Sequence, residues 1–336
     1  AYPVEKKLHR YIAQNVDLLV TDNHNMYLRK HDKKSSVFFL QESKDIDVNR
    51  IHMLKAFNYD CGISPDIKIN GYQYVDNQGK EKKTSDFYCN REIFYKFLAW
   101  YLSDGTTWYN EKENKYVITI TQTDCAANIK NKTIEQIVSL IESMGFSVTI
   151  TGKDIKFVSA TLGRFLKPLG ISYEKYIPFN LFDAFNSYYA KIFIDEYFKG
   201  DGHLYKDSLN GKLYSSSEKL INQLQILTFI AGYTSTLYSR DNVGKTTYIR
   251  GKKIEIKHNG YYLNVCLGKR NKEPVMYLNK VRKEQPYRGM VYCVNVKNHI
   301  IFVRRNGICV WCGNCLEQMM RSEIGVRYDN QDKYVY

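Results

Sequence analysis

Apolar and polar positions change rhythm twice along this chain. Near the start, "VDLLVTDNHNMYLRK" (16–30) has an apolar run, an Asp-Asn turn and then alternation through Met26, Tyr27 and Leu28, which predicts strand, turn and strand. "SSVFFLQESKDI" (35–46) predicts another strand, and the polar "INGYQYVDNQGKEKKTSD" (69–86) reads as a linker or hairpin. From about 88 to 272 helices and strands alternate, and the pattern repeats. The first copy runs "IFYKFLAWYLSDG", "KYVITITQT", "TIEQIVSLIESMG" and "FSVTITGKD"; the second runs "AKIFIDEYFKGDG", "GKLYSSS", "EKLINQLQILTFIAGY" and "TSTLYSRD". Each helix has apolar residues at i, i+3 and i+4 and stops at a glycine, which predicts a left-handed cap. The period, near 97 residues, is far too long for a solenoid and predicts a duplicated domain with pseudo-twofold symmetry. After 275 the strand rhythm returns in "MVYCVNV", "HIIFVRR" and "ICVWC", separated by Lys-Asn and Asn-Gly turns. An all-β start and end flanking an α/β middle predict one β domain interrupted by another.

Charge adds a partner to this picture. The 336 residues carry a formal charge of +14 and 29 tyrosines, which favours a polyanion, nucleic acid being the commonest. Eight cysteines are too few for a disulfide scaffold, and Cys61, Cys89, Cys125 and Cys266 are scattered singly. No apolar run approaches the ~20 residues of a membrane span, and "AYPVEKKLHRYIAQN" lacks the apolar core of a signal peptide. The expectation is a soluble, cytoplasmic protein with reduced thiols. Its first residue is Ala1, consistent with a fragment of something longer.

Two helices end alike, in "FLAWYLSDG" (97–105) and "IDEYFKGDG" (194–202), with Asp104 and Asp201 in the last turn. The helix dipole disfavours an acid there unless a cation sits beside it. Ala99, Ser103 and Gly200 are small enough to let the helices pack closely, bringing both acids together as oxygen ligands for Mg²⁺. Phosphodiester hydrolysis uses such a pair with bound metal. These helices resemble the signature of LAGLIDADG homing endonucleases in their two-motif form, over roughly 88–272, with repeats at about 88–183 and 184–272. The resemblance implies paired α/β repeats whose sheets lie on double-stranded DNA, with Asp104 and Asp201 as the metal-binding catalytic acids. It also implies a basic residue near the scissile phosphate; Lys175, in "EKYIP", is the candidate, with Lys253 or Lys269 in the second repeat. Glu196 and Lys199 interrupt one apolar stripe, while Trp100 and Tyr101 crowd the other helix.

The flanks carry different chemistry. Thr21 precedes His24 by three residues on a turn, a spacing that can activate a backbone amide. The other end has Cys293, Asn298 and His299, and then "VWCGNC", which contains Asn314 and Cys315. Together these resemble the splicing motifs of inteins, the Hint fold. The resemblance implies an all-β splicing domain made from 1–60 and 273–314, a linker at 61–87, the inserted nuclease, and a host (C-extein) segment at 315–336. It assigns upstream junction activation to Thr21 and His24, nucleophilic attack to Cys315, cyclisation to Asn314 and its assistance to His299. Splicing then needs no cofactor, and the partners are the covalent host segments and, for a split element, an N-terminal fragment.

The chain departs from that pattern in three places. Gly313 stands where a histidine often precedes the terminal Asn, Cys293 stands in place of a common Asp, and the motif that supplies an N-terminal nucleophile is absent. Splicing by this chain alone is therefore not expected, while Asn314 cyclisation is. Two other readings stay open. One is a free-standing LAGLIDADG nuclease or maturase-like RNA binder. The other is a nucleic-acid-binding protein stabilised by zinc on Cys293, Cys309, Cys312 and Cys315.

Overall fold

The computed structural model describes residues 1–31, 37–75, 78–111, 115–122, 132–206, 208–249, 252–268, 271–292, 294 and 296–314. They form two units: Ala1–Lys55 with the described part of 269–336, and Ala56–Gly268.

In the first unit Tyr2–Ala13 pairs antiparallel with Val16–Val20 and, over ten residue pairs, with Arg282–Val291. This long strand is hidden in the sequence because Pro3, Glu5, Lys7 and Ile12 are exposed, while its buried Leu8 and Tyr11 lie three residues apart and mark no single face. The strand expected over 290–296 ends at Val291. A second sheet has the order Val275–Tyr277, Arg50–Met53, Asn25–Lys30, Phe39–Glu42. Ile300–Arg305 and Ile308–Gly313 form a hairpin through Asn306 and Gly307, whose φ values of 47° and 75° are both left-handed. That is the turn an Asn-Gly pair favours between twisted strands. Tyr11, Leu18, Met26, Leu28, Ile51, Met53 and Val310 are buried in one core.

The second unit contains helices α1 (Arg91–Asp104), α2 (Thr133–Ser143), α3 (Ser187–Asp201) and α4 (Glu218–Ile230). The first repeat's sheet runs Gly105–Asn110, Lys115–Thr121, Asp154–Val158, Thr149–Thr151. In the second repeat the order is Gly202–Leu204, Asn210–Ser215, Gly260–Cys266, Thr234–Arg240. In chain order both are 1-2-4-3, the pattern of a duplication. The stretch at 61–87 is more than a linker. Asp66–Ile69 pairs with Phe87–Asn90, and Gln73–Val75 with Glu81–Lys83, leading directly into α1.

Asparagines cap α1 and α3 in the same way: the Asn90 side chain accepts from the amides of Glu92 and Ile93, and Asn186 from Tyr189. Such a cap stabilises a helix by ~1 kcal/mol. The glycine stops divide into two kinds. Gly145 after α2 and Gly232 after α4 have φ of 88° and 77°, the expected left-handed caps. Gly105 and Gly202 instead have φ of −90° and −128°, because each Asp-Gly passes straight from helix into strand. Glycine is needed there for space, since a Cβ would sit 2.5 Å from Tyr101 in one case and 2.5 Å from Phe198 in the other.

Candidate active site

Helices α1 and α3 pack side by side through aromatic and small residues: Ala99, Trp100, Ala190, Phe193 and Tyr197 are all buried. At their C-terminal ends the approach is tight. A Cβ on Gly200 would lie 2.3 Å from Ser103 Oγ and 3.4 Å from Asp104 Oδ2. In a free helix Gly→Ala stabilises by ~1 kcal/mol. Here the methyl collides with the neighbouring helix, an overpacking cost of about 1–3 kcal/mol. Gly200→Ala is therefore expected to lower the melting temperature rather than raise it; a stabilised variant would contradict this packing.

The two residues that interrupt one apolar stripe are satisfied together with the bulky Trp100 of the other helix. Trp100 Nε1 donates to Glu196 Oε1 across the interface at 2.7 Å, and Lys199 Nζ donates to Glu196 Oε2 at 2.7 Å. A buried indole N–H and carboxylate thus gain partners, and the contact sets the axial register of the two helices.

That register puts the two acids and the lysine in one place. Lys175 is 4% exposed and its ammonium donates to the carbonyls of Tyr101 and Ser103, in the last turn of α1, at 3.0 and 3.1 Å. Gln122 Nε2 donates to Asp104 Oδ2 at 2.8 Å. Burial raises the Asp104 carboxyl, against Gln122 and Lys175. Burial and then the Asp104 charge push Asp201 up to about 6, against Lys175 and Tyr197. Burial pulls Lys175 down to about 8, against both carboxylates. Two desolvated carboxylates at two negative helix ends form a hard-oxygen site suited to a divalent cation. Among the described residues no group of three or more His, Cys, Asp or Glu gathers, so the site offers two carboxylates.

The electrostatics give a stability prediction. A carboxyl with a raised folded pKa contributes stability that is present below its unfolded value and lost as pH rises through the folded one. For Asp201 that loss runs from the ordinary value of 3.8 up to about 6. Without metal, the wild-type unit is expected to melt lower at about pH 7 than at about pH 5 by more than Asp201→Asn does. Mg²⁺ is expected to raise the melting temperature only on the neutral side. Calorimetry with EDTA or Mg²⁺ checks this, and equal Mg²⁺ stabilisation at both pH values contradicts it.

The first unit gathers a second set. Thr21 and His24 are buried in one turn, where the His24 amide donates to the Thr21 carbonyl at 3.1 Å. Asn314 is 2% exposed; its carbonyl accepts from the Asn25 amide at 3.4 Å, and its Nδ2 donates to the Val294 carbonyl at 3.2 Å. Ile300 pairs with Gly313, so His299 and Asn314 each lie next in sequence to the last pair of the ladder. His299 itself is left-handed, with φ of 58°. A Cβ on Gly313 would lie 2.6 Å from the Asn25 carbonyl oxygen, so the strand that brings His24 close excludes a histidine at 313.

Other candidates are not brought to either set. Lys253 is exposed on the hairpin Thr246–Ile249/Lys252–Glu255. Cys293, Cys315, Lys269 and the segment 315–336 lie outside the described residues. Cys309 pairs with Arg304 and Cys312 with Ile301; three residues apart on a strand, they face opposite sides and cannot share one zinc ion. Burial also pushes the Cys309 thiol up to about 11. No sequence signal marks Gln122 or the Trp100–Glu196 contact as part of the site, because their partners lie far away in the chain.

Residues 189–273 match the LAGLIDADG-like domain family. Over 93% of its length the chain is 26% identical to the DNA-directed RNA polymerase subunit beta C-terminal section of Stigeoclonium helveticum, covering 32% of that protein. Over 70% of its length it is 21% identical to an ATP-dependent Clp protease proteolytic subunit of Chlamydomonas moewusii, covering 24%. The chain thus spans about a third or less of these relatives. Similar solved structures include the homing endonuclease I-DmoI in complex with DNA and Mn, at 16% identity and a TM-score of 0.35, covering 53% of this chain and 90% of that one. Another is the homing endonuclease I-WcaI bound to its DNA recognition sequence, at 11% and 0.30, covering 52% and 76%. No described helix is long and apolar enough to cross a membrane.

Proposed function

We propose that this chain is a protein-splicing element interrupted by a divalent-metal-dependent homing endonuclease that cuts double-stranded DNA. The observation that carries the nuclease half is the convergence of Asp104, Asp201 and the buried Lys175 at two facing helix ends. Asp104 and Asp201 would hold Mg²⁺, which when bound supplies Lewis-acid stabilisation of the phosphate and a more acidic water. Lys175, with an amine at about 8, holds a proton exchangeable near neutral pH and places a positive charge beside the reacting phosphate. The two four-stranded sheets offer Thr, Gln, Arg and Tyr side chains for reading bases, and the basic surface supplies phosphate contacts.

The splicing half rests on the hydrogen bond that joins Asn25, next to the Thr21–His24 turn, to Asn314 from the opposite end of the chain, with His299 at the end of the hairpin that carries Asn314. In this reading the Asn314 side-chain nitrogen attacks its own carbonyl carbon. A succinimide forms, the peptide bond breaks, and the amine of Cys315 takes up the proton. His299 supplies acid–base assistance, and the turn at 21–24 would serve the upstream junction instead. The relatives support an embedded element: two proteins named for unrelated activities each share with this chain a segment less than a third of their length. One preparation tests both halves, by plasmid cleavage with Mg²⁺ and by the mass of the chain during incubation. Asp104→Asn and Asn314→Ala separate the two activities.

A further inference from the structure

Lys175 belongs to the connection that leaves the first repeat, yet its surroundings are built by the second. Helix α4 grips this connection at three consecutive residues. Its cap residue Ser217, fully buried, donates its hydroxyl to the Lys175 carbonyl at 2.6 Å while accepting from the Leu220 amide at 3.1 Å. Lys219 Nζ lies 3.7 Å from the centroid of the Tyr176 ring. Gln223 takes both backbone groups of Ile177: its Oε1 accepts from the amide at 2.8 Å and its Nε2 donates to the carbonyl at 2.7 Å. Pro178 holds Ile177 in the extended conformation that a two-bond contact of this kind requires. A side-chain amide is thus paired with a backbone as a neighbouring strand would be.

We propose that Gln223, with the cap Ser217, is a positioning element for the nuclease reaction: it clamps the 175–177 backbone to α4 so that the Lys175 amine is held at the end of α1 beside Asp104 and Asp201. The inference rests on the nuclease reading. It makes the second repeat responsible for placing a first-repeat residue, and so ties activity to correct docking of the two halves.

The test compares Gln223→Met, which keeps the side-chain length and removes both bonds, with Thr228→Val as control. Thr228 lies on the same helix, and its hydroxyl bonds only the Gln225 carbonyl and Ser235, away from the connection. In the full chain with ¹³C-labelled lysine, the Lys175 signal is assigned by its loss in Lys175→Arg and followed with pH. Wild type is expected to titrate at about 8. Gln223→Met is expected to move that titration up towards the ordinary lysine value, and Thr228→Val to leave it in place. On a plasmid selected by wild-type enzyme from a randomised library, Gln223→Met is expected to lose on the order of 10²-fold in kcat with DNA affinity unchanged.

An unmoved Lys175 titration in Gln223→Met overturns the proposal. So does an equal shift in Thr228→Val, which would mean general loosening. If wild type and Asp104→Asn are equally inactive on the library, the nuclease reading fails instead, and the lysine titration still decides the clamp.

Discussion

Asp104→Asn is expected to abolish Mg²⁺-dependent DNA cleavage and, in the absence of metal, to make the nuclease unit more stable at neutral pH. The loss follows from removing one of two anionic ligands. Metal-borne stabilisation of the transition-state charge is worth several kcal/mol, so activity should fall by about 10³-fold or more. The gain follows from the same arrangement. In the folded unit Asp104 is desolvated at a helix C-terminus and its charge helps push Asp201 up to about 6. An asparagine keeps an oxygen for Gln122 and loses the charge, relieving about 1 kcal/mol of dipole and like-charge cost. For a unit of this size that is about 2–4 °C in Tm. Plasmid cleavage and calorimetry with EDTA read the two effects. An active Asp104→Asn enzyme, or one that melts lower than wild type without metal, would refute the assignment. Tail release should be untouched; simultaneous loss of both activities would mean that the two units are not functionally separate.

Asn314→Ala is expected to stop release of residues 315–336 completely, because no other side chain at that position carries the nitrogen that closes the succinimide. Mass spectrometry of incubated protein detects the 22-residue tail directly. His299→Ala is expected to slow release by about 10²–10⁴-fold, the usual worth of a positioned acid–base group. DNA cleavage should persist in both variants. Tail loss from Asn314→Ala, or none from wild type at any pH or thiol concentration, would sink the splicing reading.

Much of the candidate nuclease site is legible in the sequence. Asp104 and Asp201 announced themselves because an acid at a helix C-terminus is locally unfavourable, and the same anomaly occurs twice at equivalent places in a repeat. Ser103 and Gly200 similarly carry their packing role in their size. Taken alone, Glu196 conflicts with an apolar stripe and the bulk of Trp100 with close helix packing. The conflict disappears only when the indole and carboxylate meet at 2.7 Å. Gly105 and Gly202 were expected to be left-handed caps, and local rules give no way to distinguish a cap from a glycine required by the close approach of the preceding turn.

By itself, then, the sequence determined the periodic elements, the duplication and the residues able to carry chemistry, since these depend on side-chain type and on neighbours a few positions away. Tertiary structure alone decided the rest. It paired Tyr2–Ala13 with Arg282–Val291, separated Cys309 from Cys312, left Lys253 on an exposed hairpin, and bound Lys175 to both α1 and α4. The physical reason is that these outcomes are set by contacts between residues tens to hundreds of positions apart. Their burial, pKa values and hydrogen-bond partners do not exist until the chain has closed around them.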